Sequence, residues 1–147
     1  MTEKIVAVAS DHAGFALKSL LADDLRALGY EVLDLGTDSV DSVDYPDFGQ
    51  ALGAAIAAGR AGRGVVVCGT GIGISIAANR NPKVRAALCH DTTSARLCRE
   101  HNDANVLALG ARLVGEEVAR DCLRTFLATP FAGGRHQRRV DKLDAGA

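Results

Sequence analysis

The chain has 147 residues, 48% of them apolar and 24% charged, with a formal net charge of −1. That length and apolar share fit one domain with a single sizeable core, and the near-neutral balance excludes a general attraction for nucleic acid or an anionic membrane, so any anion site must be local. No apolar stretch approaches the roughly 20 residues of a membrane span, and Met1-Thr2-Glu3-Lys4 leads into a strand-like segment with no signal-peptide pattern, so a cytoplasmic protein is expected.

Ile5-Val6-Ala7-Val8-Ala9 reads as a buried strand that ends in the turn Ser10-Asp11-His12-Ala13-Gly14. Leu17, Leu20, Leu21, Leu25 and Leu28 then follow i, i+3, i+4 spacing, with Lys18, Asp23, Asp24 and Arg26 on the other face and Gly29 as the stop, which predicts a helix. Val32 to Leu35 is a second strand. Residues 36–46 are polar and turn-like, longer than the about 2–6 residues usual in α/β units, and that length suggests use. Asp47 to Ala58 carries Phe48, Leu52, Ala55 and Ile56 at helical spacing. Val65-Val66-Val67-Cys68 is a third strand, followed by Gly69, Gly71 and Gly73 at alternate positions and by Ile76-Ala77-Ala78, which opens a helix. Arg85 to Cys89 reads as a fourth strand and Thr92 to Glu100 as a helix capped by Thr92 or Thr93 and closed by 101–105. Val106 to Leu109 is a fifth strand and Glu116 to Leu127 a helix. The basic segment Arg135-His136-Gln137-Arg138-Arg139-Val140 follows Gly133-Gly134.

Strands alternating with helices predict an α/β fold, a single-domain doubly wound (Rossmann-like) sandwich around a five-stranded parallel sheet. In such folds ligands bind beyond the carboxyl ends of the strands, where the strand order reverses. The flavodoxin-like order 2-1-3-4-5 places that point between strands one and three, with Asp11 and His12 facing Cys68 and Thr70. His101 and Asn102 end a helix antiparallel to the strands, so they fall at the opposite end of the sheet. If they share a site with Cys68, they come from a second chain, and a homodimer with sites at its interface follows.

The glycine-rich stretch after the third strand decides between chemistries. A dinucleotide G-x-G-x-x-G requires glycine at position 74, a Walker loop lysine and a thiol-phosphatase loop arginine; Ile74 fails all three. What survives is an amide-lined loop with a thiol and no cationic side chain of its own, suited to charge that develops on small oxygens such as those of an enediolate. Cys68 stands at the head of the following helix, where that field favours negative charge, and is the candidate base. Cys89, Cys98 and Cys122 show neither C-x-x-C spacing nor metal-ligand spacing with histidine, so free core thiols and no metal are expected.

Five ordered segments carry a resemblance: Ser10-Asp11-His12-Ala13-Gly14, Asp44-Tyr45-Pro46, the run from Cys68 to Asn79, Arg99-Glu100-His101-Asn102-Asp103, and Gly134 to Val140. Together they closely resemble the ribose-5-phosphate isomerase B family, which also contains galactose-6-phosphate and allose-6-phosphate isomerases, and the match runs nearly end to end. The resemblance implies a cofactor-free aldose–ketose isomerase of the pentose phosphate type, active as a homodimer or dimer of dimers. It would interconvert ribose 5-phosphate and ribulose 5-phosphate through a cis-enediolate. Carried over by position, Cys68 is the base that moves a proton between C1 and C2, and Thr70 with the amides of 69–73, Gly69, Gly71 and Gly73 among them, holds the enediolate. His101 opens the furanose ring, and Asn102 contacts the substrate from the partner chain. Asp11 binds sugar hydroxyls and Tyr45 stands on the substrate side. His12, Arg135 and Arg139, with Arg112 and His136, hold the phosphate, whose oxygens match the planar guanidinium fork. One branch of the family uses a glutamate where this chain has Ile74, so the cysteine mechanism is the consistent one here. The C-terminal segment, about 131–147 of the 1–147 unit, is expected to pack on the domain or on a partner subunit.

Within the same class, an isomerase for a tetrose 4-phosphate, allose 6-phosphate or galactose 6-phosphate is the alternative. From another class, the alternative is a catalytically silent module that binds a sugar phosphate or nucleotide. Read singly, His101 is a helix C-cap and Arg135, Arg138 and Arg139 a solvated face. The scarcity of aromatic residues argues against nucleic acid.

Overall fold

Apolar runs of β-branched and small residues make the middle of the sheet. Val6, Ala7, Val8 and Ala9 of β1 (Ile5–Ser10), Val65, Val66 and Val67 of β3 (Arg63–Cys68), and Val106, Leu107, Ala108 and Leu109 of β5 (Val106–Gly110) are all buried. Burial on both faces is what a parallel sheet covered by helices demands of its central strands. The computed structural model describes residues 2–146; Met1 and Ala147, the two ends of the expected unit, lie outside the described residues. Shorter, partly exposed strands form the edges, β2 (Glu31–Asp34) and β4 (Ala86–Leu88). The described residues form one parallel five-stranded sheet in the order β2-β1-β3-β5-β4.

The observed order corrects the expected 2-1-3-4-5. Every residue of β5 is buried while β4 has three half-buried ones, so the more apolar strand takes the inner place beside β3. Helices α1 (Phe15–Ala27), α4 (Thr92–Asn102) and α5 (Glu116–Ala128) cover one face, and α2 (Tyr45–Ala57) and α3 (Ile72–Asn79) the other. The chain therefore leaves β3 toward one face, and leaves both neighbours, β1 and β5, toward the opposite face. Both junctions of β3, with β1 and with β5, are therefore points where folds of this kind bind ligands, and the β5 loop stands at one of them.

Local departures have local causes. Lys18, expected on the solvent face of α1, is 1% exposed, and its ammonium donates to Asp34 Oδ1 at 2.8 Å and to the Thr37 carbonyl. Tertiary polar partners override the helical pattern there. Helix α2 starts at Tyr45, ahead of the expected Asp47, because Pro46 suits a first turn. Helix α3 starts at Ile72, four residues before Ile76, so Gly73 belongs to its first turn. Helix α4 is capped by Asp91, whose Oδ1 accepts the Ser94 N–H at 2.7 Å, instead of by Thr92 or Thr93. On the free side of β4, the Asn79 side chain donates to the Ala86 carbonyl at 3.0 Å and accepts the Ala86 N–H at 2.7 Å. The basic segment forms α6 (Arg135–Ala145), packed on α4 of its own chain. All four cysteines are free and buried, and no helix of the described residues is long and apolar enough to cross a membrane.

Candidate active site

Four loops meet at the carboxyl end of the sheet. After β1, the Asp11 N–H donates to the Val67 carbonyl at 3.3 Å, and Asp11 Oδ1 accepts the Gly14 N–H at 3.0 Å, which fixes a nearly buried carboxylate over the end of β3. His12 Nδ1 accepts the Val43 N–H at 3.1 Å. A nitrogen that accepts carries no proton, so the neutral ring bears its hydrogen on Nε2. The same bond fastens His12 to the loop 35–44 that delivers Tyr45. The Tyr45 ring leans on the first turn of α3: a Cβ added to Gly73 would lie 2.4 Å from Tyr45 Cε1 and 2.5 Å from Cζ.

Cys68 ends β3, is 4% exposed, and its Sγ accepts the Gly71 N–H at 3.1 Å. That amide belongs to the cap of α3, where unpaired N–H groups converge. The cap needs glycine: Gly71 has φ 77°, and a Cβ there would come within 2.6 Å of Leu88 Cδ1 and 2.8 Å of the Leu109 carbonyl carbon. Thr70 is exposed, with Oγ1 accepting the Ile72 N–H at 3.2 Å. From β5, the Arg112 N–H donates to the Gly69 carbonyl at 2.9 Å, and the guanidinium lies 3.5 Å from where a Gly69 Cβ would stand. The loop thus gains a cation that its own sequence lacks, and the corrected strand order is the reason.

A second group lies at the other end of the sheet. His101 and Asn102 are the last residues of α4, and the His136 ring of α6 stacks on His101 with centroids 4.4 Å apart and planes 19° from parallel. Partial burial against its neighbours, then the positive charges of His101, Arg135 and Arg139, hold the His136 imidazole below its ordinary value. Arg135 and Arg139 are exposed on the same helix. A cavity of about 620 Å³ opens beside Asn102, lined also by Arg85, Lys142 and Asp144. Cys68 stands level with Gly110, whereas Val106, just after α4, stands level with Gly64. Four residues of strand, about 13 Å, therefore separate the levels of the two groups.

One chain thus brings together Asp11, His12, Tyr45, Cys68, Gly69, Thr70, Gly71, Gly73 and Arg112, and holds His101, Asn102, Arg135, His136 and Arg139 apart from them. Val43 was not legible as a contributor because it acts through its backbone, which leaves no side-chain signature. The sequence pattern marks Arg85 only as the start of a strand and Asp103 only as part of the segment that closes α4; that the two grip the end of that helix depends on contacts between segments 18 residues apart. No group of three or more His, Cys, Asp or Glu among the described residues is arranged to hold a metal.

Known proteins resemble this chain along nearly its whole length. A model of the Ribose/Galactose Isomerase family matches residues 6–143. The chain is 44% identical to ribose-5-phosphate isomerase B of Escherichia coli over 142 residues, 97% of this chain and 95% of that protein. It is 40% identical to the D-erythrulose-4-phosphate isomerase of Pectobacterium atrosepticum, over 94% of this chain and 91% of that one. The solved structure of Clostridium thermocellum ribose-5-phosphate isomerase B is similar at a TM-score of 0.95 and 52% identity, covering 96% of this chain and 95% of its own. Fold, thiol loop and near end-to-end similarity coincide, and the chain belongs to the ribose/galactose isomerase family.

Proposed function

We propose that this chain is an aldose–ketose isomerase that interconverts ribose 5-phosphate and ribulose 5-phosphate through a cis-enediolate. It works as one domain, in the cytoplasm, where its four free thiols stay reduced. The observation that carries this reading is the Cys68 Sγ, buried at the mouth of an amide loop and receiving the Gly71 N–H at 3.1 Å. The separation of the two residue groups supports a homodimer, or a dimer of dimers, whose sites combine the Cys68 end of one subunit with the His101 end of the other.

The steps follow from that pairing. His101 of the partner subunit gives a proton to the ring oxygen as the bond from C1 to that oxygen breaks, and the C1 hydroxyl passes its own proton through water back to His101, leaving the open aldehyde and the imidazole as it began. Cys68, as thiolate, takes the C2 proton. The C–H electron pair becomes the C1–C2 double bond, and charge moves onto O1, facing the Thr70 hydroxyl and those amides of 69–73 that Cys68 and Thr70 leave free. A preorganised donor at such a position is worth about 2.7–4 kcal/mol. A proton passes from O2 to O1, and the Cys68 thiol returns its proton to C1 as the C2 carbonyl forms. Protons and electrons balance within the substrate. Asp11 accepts from sugar hydroxyls through Oδ2, since its Oδ1 is taken by Gly14. The His12 Nε2–H and Arg112 meet the phosphate from one side, and Arg135, His136 and Arg139 of the partner subunit from the other.

Solvent exchange tests the base. Cys68→Ala abolishes exchange of the substrate C2 proton while sugar-phosphate binding persists; normal turnover by the variant overturns the assignment. Mixing inactive Cys68→Ala and His101→Ala chains regenerates one intact site per hybrid dimer, about a quarter of wild-type activity after random exchange. No rescue despite verified subunit exchange places both residues in one chain's site. The similarity to a tetrose-phosphate isomerase favours a second reading within the class. Comparing kcat/KM for ribose 5-phosphate, D-erythrulose 4-phosphate, allose 6-phosphate and galactose 6-phosphate decides between them.

A further inference from the structure

Two arginines that no step above employs converge on the carboxylate that ends α4. Asp103 follows Asn102 directly and adopts the left-handed backbone region at φ 46°, which places its side chain back against the helix it terminates. Its Oδ1 accepts from Arg99 Nη1 at 2.8 Å and its Oδ2 from Arg85 Nη2 at 3.3 Å. Arg99 is buried and serves the fold: it also donates to the carbonyls of Ala104 at 2.6 Å and Thr129 at 3.1 Å. Arg85 is different. Its Nε donates to the Asn102 carbonyl at 3.0 Å and the Asp103 carbonyl at 3.1 Å, and its Nη1 to Asp144 of α6 at 2.8 Å. The Asn102 carbonyl belongs to the last turn of α4, where carbonyls lack intrahelical partners, so a cation with several donors is well matched to that end.

The guanidinium of Arg85 thus spans from the residue after His101 to the far end of α6. The near end of α6 meets α4 through the stacked His101 and His136 rings. Helix α6 is thus tied to the last turn of α4 near both of its own ends, at His136 and at Asp144, and Arg139 lies between the two ties. Arg85 and Asp103 have side chains 21% and 36% exposed, a setting in which an ion pair adds little to stability but still fixes a geometry.

We infer that Arg85 and Asp103 are positioning residues that hold the His101 ring in register for ring opening and lock the phosphate-facing helix α6 to it. The inference rests on the assignment of ring opening to His101 made above. A forked guanidinium makes these bonds together; an ammonium cannot reproduce them.

Ribulose 5-phosphate supplies the test, because it is open-chain and its C1 proton can wash out to solvent without any ring being opened. In Asp103→Asn, whose asparagine tolerates the left-handed backbone, kcat for ribose 5-phosphate falls about 10- to 100-fold, the loss expected from a misplacement of about 1 Å, while C1 washout from saturating ribulose 5-phosphate keeps its wild-type rate. Arg85→Lys gives the same split and does not rescue. Asp144→Asn, which releases only α6, raises KM for ribose 5-phosphate and leaves kcat unchanged. Equal losses in the two assays, or no loss in either, for both Asp103→Asn and Arg85→Lys overturn the inference. His101→Ala separates the two levels of the argument. If it lowers both assays equally, the ring-opening assignment fails; if it splits them and the positioning variants do not, only the present inference fails.

Discussion

Gly73→Ala sets a helix preference against an aromatic ring, and its effects on stability and on activity should part. Gly73 sits in the first turn of α3 with ordinary backbone geometry, where alanine is favoured over glycine by up to about 1 kcal/mol. Against this, the new methyl would stand 2.4 Å from Tyr45 Cε1, 2.5 Å from Cζ and 3.0 Å from Cδ1. Carbon atoms rest at about 3.5–4.0 Å, so the ring or the helix must move by about 1 Å or more. Helix α3 is pinned by Ile74, fully buried in the core shared with α2, whereas Tyr45 is 42% exposed. The ring should swing outward, and the net change in stability should stay within about 1 kcal/mol, a melting shift of no more than about 4 °C in either direction. Activity should fall to the level of Tyr45→Ala, because the aromatic wall beside the thiol loop is lost in both. The assay is a double-mutant cycle on kcat/KM with melting temperatures taken in parallel. The combined variant should be no worse than either single one. Additive losses, wild-type kinetics in Gly73→Ala, or a melting point lowered by about 10 °C would each refute the reasoning.

Gly71→Ala, by contrast, meets backbone and needs a positive φ, so both stability and turnover should fall; a soluble variant with a wild-type melting curve would contradict the packing of the loop on β5. Lys18→Met leaves the Thr37 carbonyl and Asp34 without their charged donor, and should cost about 2 kcal/mol; an unchanged denaturant midpoint would argue against it. The His136 imidazole should titrate below its ordinary value in the free protein, move up toward that value in His101→Ala, and rise when sugar phosphate binds, as followed by NMR of the ring protons; a midpoint indifferent to His101 would remove the stack as a cause. Burial pushes the Cys122 thiol up to about 11. The folded protein keeps that proton after the unfolded chain has lost its own, so stability should decline as pH rises from about 8.5 toward that value and level off beyond. Cys122→Ala should flatten the decline in urea titrations, and an unaltered slope would refute it.

The parallel sheet, its helices and the place of the thiol loop were legible because they rest on local patterns: β-branched runs, 3.6-residue spacing and glycines where a loop approaches a neighbouring strand. The strand order was not, because the choice between β4 and β5 for the seat beside β3 depends on comparing burial across non-neighbouring segments. That single exchange is why Arg112 reaches the Cys68 loop within its own chain. The division of the site was partly legible, since a helix antiparallel to the sheet must carry His101 away from Cys68. That α6 travels with His101 was not, since it depends on a stack between rings 35 residues apart in sequence. Lys18 defeated the pattern altogether: helical spacing assigns a charged residue to solvent, and only the folded end of β2 with the loop after it reveals its partners.

The Asn79 amide has a further consequence. An edge strand ordinarily offers its outward N–H and C=O groups to any extended segment nearby, which is the route to sheet-to-sheet association and to aggregation. In β4 the outward pair at Ala86 is already bound, both donor and acceptor, by one carboxamide from α3, and the strand is only three residues long. A continuous sheet running through β4 from one subunit into the next is therefore disfavoured.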